Sequence, residues 1–167
     1  FTLNDIGNDL TLETLCRIQE RVAYNQALTT GELRTGIVGI SGTDYVPPIP
    51  KEQTVKAELE YLLNNPNPVD KALNVMFWGM KSQLFFDGNK RTSMLVANKI
   101  MIENGCGILS IKVDDLAEFN TLLSEYYSTD NIEPVKQFVY DNCINGIVFE
   151  RERVQEPENE EDDDFEL

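Results

Sequence analysis

The sequence predicts a mainly α-helical domain with one small β-hairpin, on three observations. Apolar residues recur three and four positions apart in segment after segment, the pattern of helices that bury one face. Pro, Gly and Asx residues punctuate those segments where helices start and stop. Between Thr29 and Pro50 a strand-turn-strand pattern interrupts them. At 167 residues and 41% hydrophobic, the chain fits one domain with a real core, expected over residues 1–150.

The elements follow in order. Thr11 to Leu28 places Leu12, Leu15, Ile18 and Val22 on one helical face, with Asp9 or Thr11 as its cap. In Thr29 to Pro50, Ile37, Val38 and Ile40 precede the turn Ser41-Gly42-Thr43-Asp44 and Tyr45-Val46 follow it, which reads as a short hairpin. A hairpin this small needs the domain beneath it. Lys51 to Leu63 carries Val55, Leu59 and Leu62 on one face and ends before Pro66 and Pro68. Pro68 to Gln83 starts on its proline and buries Ala72, Leu73, Met76, Phe77 and Met80, while Gly79 lets another helix approach closely. A helix from Asn89 to Gly105 comes next, then an apolar connector from Cys106 to Val113. Asp114 or Asp115 caps a helix through Leu116, Phe119, Leu122, Leu123 and Tyr126. The last helix begins at Glu133-Pro134 and runs through Val135, Phe138, Val139 and Ile144, with Gly146 after it. Six or seven helices and one hairpin result, with no internal repeat.

Charge and cysteine usage narrow the function. Eight of the fifteen excess negative charges lie between Glu156 and Leu167, so residues 151–167 read as a solvated acidic tail. A net charge of −15 argues against a nucleic-acid surface. No apolar run reaches the roughly 18 residues of a spanning helix, and the start lacks a basic segment followed by an apolar one, so neither membrane nor secretion is expected. Because the sequence begins at Phe1 rather than Met, further sequence upstream is expected. Cys16, Cys106 and Cys143 have no paired spacing and there is no histidine, which excludes a Cys/His zinc site and a Cys-His nucleophile; a reducing cytoplasm fits.

The stretch with chemistry in it is Gln83 to Gly105. Asp87-Gly88 is a turn dipeptide, Asn89 is a favoured N-cap type, and Lys90 and Arg91 follow at the start of an apolar helix. A helix start presents unpaired N–H groups and partial positive charge, so with two cations beside it the turn suits an anion, phosphate first. Taken singly, each residue also has a plain reading as turn, cap or solvated pair.

The run FFDGNKRT resembles the signature of the Fic/Doc (fido) family, HxFx(D/E)GNGRxxR in the Fic branch and HxFx(D/N)ANKR in the Doc branch. Phe85, Asp87, Gly88, Asn89 and Arg91 match in order. Gln83 stands at the histidine, Lys90 replaces the second glycine in the Doc manner, and Met94 replaces the second arginine. The segment Thr29 to Pro50 is similar to the family's flap, with Gly31, Arg34, Tyr45, Pro47 and Pro48 at matching positions. Covering about Thr11 to Ile144, the resemblance implies a Fic-type helical bundle whose flap, here Ile37, Val38, Gly39, Ile40 and Tyr45, registers a segment of a target protein by strand pairing.

It also implies a chemistry, in which the family histidine takes a proton from a target hydroxyl that attacks a nucleotide phosphate. Asp87 is then the Mg²⁺ ligand, and Gly88, Asn89, Lys90 and Arg91 contact the phosphates of ATP. Gln83 does not titrate near neutral pH, and a general base is worth about 10²–10⁴ in rate. The expected protein is a weak adenylyltransferase acting on a protein target. The alternatives are Doc-like phosphoryl transfer, suggested by Lys90, and an inactive interaction module using its hairpin. The family's inhibitory motif, (S/T)xxxE(G/N), has near matches at Thr54–Glu58 and Thr121–Glu125, each lacking the final Gly or Asn.

Overall fold

The computed structural model describes residues 6–27 and 29–146. These form α1 (Leu12–Val22), α2 (Glu52–Leu63), α3 (Pro68–Ser82), α4 (Asn89–Glu103), β1 (Ile108–Leu109), α5 (Leu116–Thr129), α6 (Glu133–Asn142) and β2 (Ile144–Asn145), with a 3-10 turn at Val113–Asp115 leading into α5. The fold is mainly helical with one two-stranded antiparallel pair, as expected. The acidic tail expected at 151–167 lies outside the described residues.

α3 and α4 are the most extensively packed helix pair. Met76, Phe77 and Met80 of α3 and Val96, Ala97 and Met101 of α4 are fully buried, each large side chain contributing about 1.5–3 kcal/mol by leaving water. Gly79 permits the close approach, since a Cβ there would lie 2.5 Å from Ser93 Oγ. The start of α3 is fixed by its own sequence. Asn67 Oδ1 accepts from the Val69 and Asp70 N–H groups at 3.0 and 3.1 Å, and Pro68 occupies the first turn where its missing N–H costs nothing. α1 is capped by Thr11, whose Oγ accepts from Thr14 N–H.

Several boundaries differ from the sequence expectation, each for an identifiable reason. α1 ends at Val22 rather than near Leu28, which is itself outside the described residues; Ala23 N–H closes the last turn on Gln19 O and Asn25 turns left-handed (φ 59°). The expected hairpin at Ile37–Val46 is an extended loop with a turn at Ser41-Gly42, and the antiparallel pair forms instead between Ile108–Leu109 and Ile144–Asn145. The loop's ends are held by side chains rather than by a strand ladder. β1, in contrast, finds partners on both edges, because the Asn98 amide in α4 accepts from Leu109 N–H at 2.7 Å and donates to Leu109 O at 2.9 Å. Ile144 therefore belongs to β2 and not to the last helix. Asn89 is the first residue of α4 rather than its cap; Gly88 takes that position at φ 78°, a conformation that favours glycine.

Candidate functional site

α3 delivers the chain to Gln83, which adopts the left-handed conformation (φ 45°, ψ 60°). For a residue other than glycine this costs on the order of 1 kcal/mol or more, and it persists only when neighbours enforce it. Three contacts do so. Gln83 Nε2 donates to Met80 O at 2.7 Å, Oε1 accepts from Asn89 Nδ2 at 3.1 Å, and the main-chain carbonyl accepts from Arg34 Nε at 2.5 Å.

The turn after Gln83 is knotted by Asn89. Its Oδ1 accepts from Phe85 N–H at 2.9 Å and its Nδ2 donates to Phe85 O at 2.7 Å, so both polar groups of a fully buried backbone unit are satisfied by one amide. Phe85 points into the core, while Phe86 is left half exposed with its ring against Gly36. Asp87 Oδ1 accepts from Gly88 N–H at 2.6 Å, and Oδ2 lies 3.6 Å from Arg91 Nη2, with both side chains about half exposed. Arg91 also reaches Val22 O at 3.4 Å. Lys90 is exposed, its Nζ 3.4 Å from Asn120 Oδ1; partial burial of the ammonium lowers its pKa from the usual lysine value.

Behind the turn sits Gln19 of α1, fully buried. Its Nε2 donates to Asp87 O at 3.0 Å and its Oε1 accepts from Gly31 N–H at 2.6 Å. One amide thus ties the acidic residue of the turn to the start of the loop. The apolar spacing of α1 marks it as a core-packing helix and does not announce this role; a glutamine inside the apolar face is the signal the sequence carries.

Gly39, Ile40 and Ser41 of the loop face Gln83 and Phe86 to Arg91 across a cleft of about 280 Å³. The structure therefore brings together Gln83, Asp87, Gly88, Asn89, Lys90 and Arg91 with two of the five expected flap residues. Ile37, Val38 and Tyr45 do not line this cleft. Tyr45 instead packs by Lys81, whose Nζ lies 5.0 Å from its ring centre and 4.7 Å from that of Tyr126 and pairs with Asp130. Burial raises the Tyr45 phenol above its ordinary pKa, with Asp130 adding to it, and burial pushes Tyr126 up to about 12. The loop tip is pinned to α5, where Ser124 Oγ donates to Gly42 O at 2.6 Å and Thr43 Oγ1 lies 3.0 Å from Ser128 Oγ.

The donor set suits an anion at the mouth of α4. The N–H groups of the first turn open there and the two cations flank it, while Gly88 lets the turn pack against α1, since a Cβ on it would lie 3.2 Å from Val22 Cγ1. Beside that glycine the Thr92 hydroxyl is buried without a hydrogen-bond partner. A half-exposed carboxylate such as Asp87 is the type of ligand that hard Mg²⁺ takes while keeping its waters and phosphate oxygens. At about 280 Å³ the cleft is near the low end for a ligand site, sized for phosphates and metal more than for a whole nucleotide.

Cys16, Cys106 and Cys143 are free thiols. Burial, reinforced by Glu13, Glu52 and Glu32, pushes the Cys16 thiol up to about 11, and burial also raises Cys143, so both are poor nucleophiles. Among the described residues no helix is long and apolar enough to cross a membrane. Of the two near matches to the inhibitory motif, Glu58 accepts from Trp78 Nε1 at 2.8 Å and Thr121 donates to Ala117 O at 3.0 Å.

A helical bundle with the Asp87–Arg91 turn at the start of one helix, opposite an extended loop, defines the class. The Fic/DOC family model matches residues 9–101, and the chain belongs to the Fic/DOC family. It is 28% identical over 145 residues to a protein named protein adenylyltransferase Fic from Nematostella vectensis, covering 83% of this chain and 33% of that protein. In structure it is similar to a piece of Fic-1 from C. elegans (TM-score 0.66, 21% identity, 80% of this chain and 40% of that one). It is also similar to a Fic domain containing signaling protein from Bacteroides thetaiotaomicron (TM-score 0.62, 16% identity, 82% and 59%). A third similar structure is the BepC effector of Bartonella tribocorum with bound AMPPNP (TM-score 0.61, 15% identity, 84% and 79%). The chain spans about a third of the length of the Nematostella relative.

Proposed function

We propose that this chain binds the triphosphate of ATP with Mg²⁺ at the Asp87–Arg91 turn and is a weak protein adenylyltransferase, acting on a target hydroxyl in the cytoplasm. The observation that carries the reading is the cleft itself, where the start of α4, Asp87, Lys90 and Arg91 converge beside Gln83 at the family's histidine position. The naming of the Nematostella relative and the AMPPNP bound to BepC support it.

Bound at Asp87, Mg²⁺ would supply charge neutralisation between phosphate oxygens. The protein's own groups do the rest. Amides of the first turn of α4 with Lys90 and Arg91 hold phosphate oxygens, and Asn89 and Gln19 hold the turn rigid. The extended stretch Ile37 to Ile40, which among the described residues makes no backbone–backbone hydrogen bond, offers its main chain to a target segment, the backbone chemistry of β-augmentation. The acceptor oxygen forms the new bond to the α-phosphorus as pyrophosphate leaves. Its proton passes to solvent, because the Gln83 amide accepts none, and this makes the reaction slow.

Lys90 in the cleft favours a second reading, Doc-like transfer of the γ-phosphoryl group. The third is a nucleotide-independent interaction module, favoured by the Gln83 amide being committed at both ends to Met80 and Asn89. Calorimetry with ATP and Mg²⁺ separates the third from the others. Binding is expected for the parent, with Arg91→Ala weakening it about tenfold or more, as loss of a charge-assisted contact implies. Lys112→Ala, on an exposed side chain, should bind as the parent does. Absence of binding, or equal loss in both variants, overturns the nucleotide reading.

A further inference from the structure

Arg34 is almost fully buried, at 1% exposure, and among the described residues its guanidinium bonds main-chain carbonyls rather than a carboxylate. Its guanidinium donates to four main-chain carbonyls: Nε to Gln83 O at 2.5 Å, Nη1 to Gly36 O at 2.5 Å, and Nη2 to Pro47 O at 3.1 Å and Pro48 O at 2.6 Å. Its own N–H donates to Leu84 O at 2.9 Å. Gly36 is the entry of the loop, Pro47 and Pro48 are its exit, and Gln83 is the far wall of the cleft. Desolvation lowers the guanidinium's pKa from its usual value, yet an arginine stays charged, so four carbonyl dipoles carry a full buried charge. An interior of aliphatic residues would fill that volume more cheaply. What the charged fork supplies instead is direction, five donors in one plane that fix several chain segments at once.

We propose that Arg34 is the positioning residue that sets the target-docking loop against Gln83, by clasping both loop ends and the cleft wall to one guanidinium. The inference rests on the reading of Ile37 to Tyr45 as the docking segment. The loop's other anchors lie further along: Ser124 and Ser128 hold Gly42 and Thr43, and Lys81 packs on Tyr45. The stretch 36–40 has packing contacts, Phe86 against Gly36 and Ile40 on the core, but among the described residues it makes no backbone–backbone hydrogen bond, while its Gly39 and Ile40 line the cleft. Arg34 is the side chain that bonds this stretch, at Gly36 O, and Gln83 O together. Lysine keeps the charge but reaches as a point donor, so it holds one or two of the four carbonyls.

The test uses the full chain as parent, Arg34→Lys and Arg34→Gln. Three quantities are measured: heteronuclear NOEs of the 36–46 amides, affinity for ATP with Mg²⁺, and affinity for a fluorescent ten-residue peptide of alternating valine and threonine. In Arg34→Lys the NOEs of 36–40 should fall while those of 42–45, α3 and α4 stay at parent values. Peptide affinity should drop tenfold or more while ATP affinity stays within twofold, a split that general loss of structure does not give. Unchanged 36–40 order, or peptide and ATP weakened by the same factor, overturns the clasp. Should Arg34→Gln fail to fold, the lysine variant alone decides. Failure of the peptide to bind the parent, with its loop ordered, overturns the docking reading and the inference resting on it; the NOE comparison then shows separately whether the clasp exists.

Discussion

Replacing Asn89 with alanine removes the amide that satisfies Phe85. Phe85 N–H and C=O are both deep in the protein, and each loses its partner. An orphaned buried polar group costs about 1–3 kcal/mol, so the pair costs about 2–6 kcal/mol. Gln83 Oε1 also loses a donor, but in a half-buried place where water replaces it at little cost. Alanine's better helix propensity returns about 0.5 kcal/mol at this first helical residue. The expected net loss is therefore about 3 kcal/mol, large against a total of roughly 5–15 kcal/mol yet leaving a folded protein. Asn89→Asp makes a sharper version. The introduced carboxylate keeps the acceptor for Phe85 N–H but turns a second acceptor toward Phe85 O and Gln83 Oε1. Burial and these acceptors raise its folded-state pKa above the unfolded value. The folded protein then binds the proton more tightly, so this variant regains stability relative to the parent as pH falls through that raised pKa. Urea unfolding of the three proteins between pH 7 and pH 4 reads both effects. A loss under about 1 kcal/mol for Asn89→Ala, or a pH-independent deficit for Asn89→Asp, refutes the role given to this amide.

Two further outcomes test the frame around the site. Gly79→Ala places a Cβ 2.5 Å from Ser93 Oγ, so overpacking of about 1–3 kcal/mol outweighs the roughly 1 kcal/mol gained in helix propensity; in a Ser93→Ala background the same change should stabilise, and thermal melts showing no change of sign would contradict the packing account. Asp70 pairs with Lys136 and accepts from Asn65 and Asn74, and the Lys136 hydrogen bond, first among these, lowers its pKa. A depressed carboxylate contributes stability above its unfolded pKa and loses it as pH falls through the folded one. Asp70→Asn should therefore cost about 1 kcal/mol at pH 7, with parent and variant converging below about pH 4. Parallel stability profiles down to pH 2 would count against the pairing.

The helices were legible because their information is local. Pro68 marks the start of α3 by its own chemistry, whereas its Asn67 cap shows only in the structure, and the apolar spacing of α1 with a cap at Asp9 or Thr11 is visible within one turn or two. The motif residues were legible for the same reason, standing within Asp87 to Arg91. What was hidden depends on contacts far apart in sequence. Ile37, Val38 and Ile40 have strand-forming side chains, but the loop is held at Gly36 by Arg34 and at Gly42 by α5 rather than by a facing strand, so the hairpin became an anchored loop. Leu109 pairs because Asn98, eleven residues earlier, offers both halves of an amide. Gln19 meets Asp87 across 68 positions, and no periodicity announces such a bond. Gln83's left-handed backbone likewise needed the structure, since glutamine gives no hint of it.

If the proposed transfer site lacks chiefly its proton acceptor, Gln83→His supplies what is missing. Histidine is enriched in the left-handed conformation that this position adopts, so the backbone accommodates it. One ring N–H takes over the bond to Met80 O and leaves the other nitrogen as base. With ATP labelled on either the α or the γ phosphate, Mg²⁺ and a cytosolic extract, the parent should transfer little. The histidine variant should transfer the α label about 10²–10⁴ faster, with a rate that rises through the imidazole pKa near about 6.5. Transfer of the γ label instead moves the assignment to phosphoryl transfer through Lys90. A variant that binds ATP and Mg²⁺ yet transfers neither label contradicts the claim and leaves the interaction module.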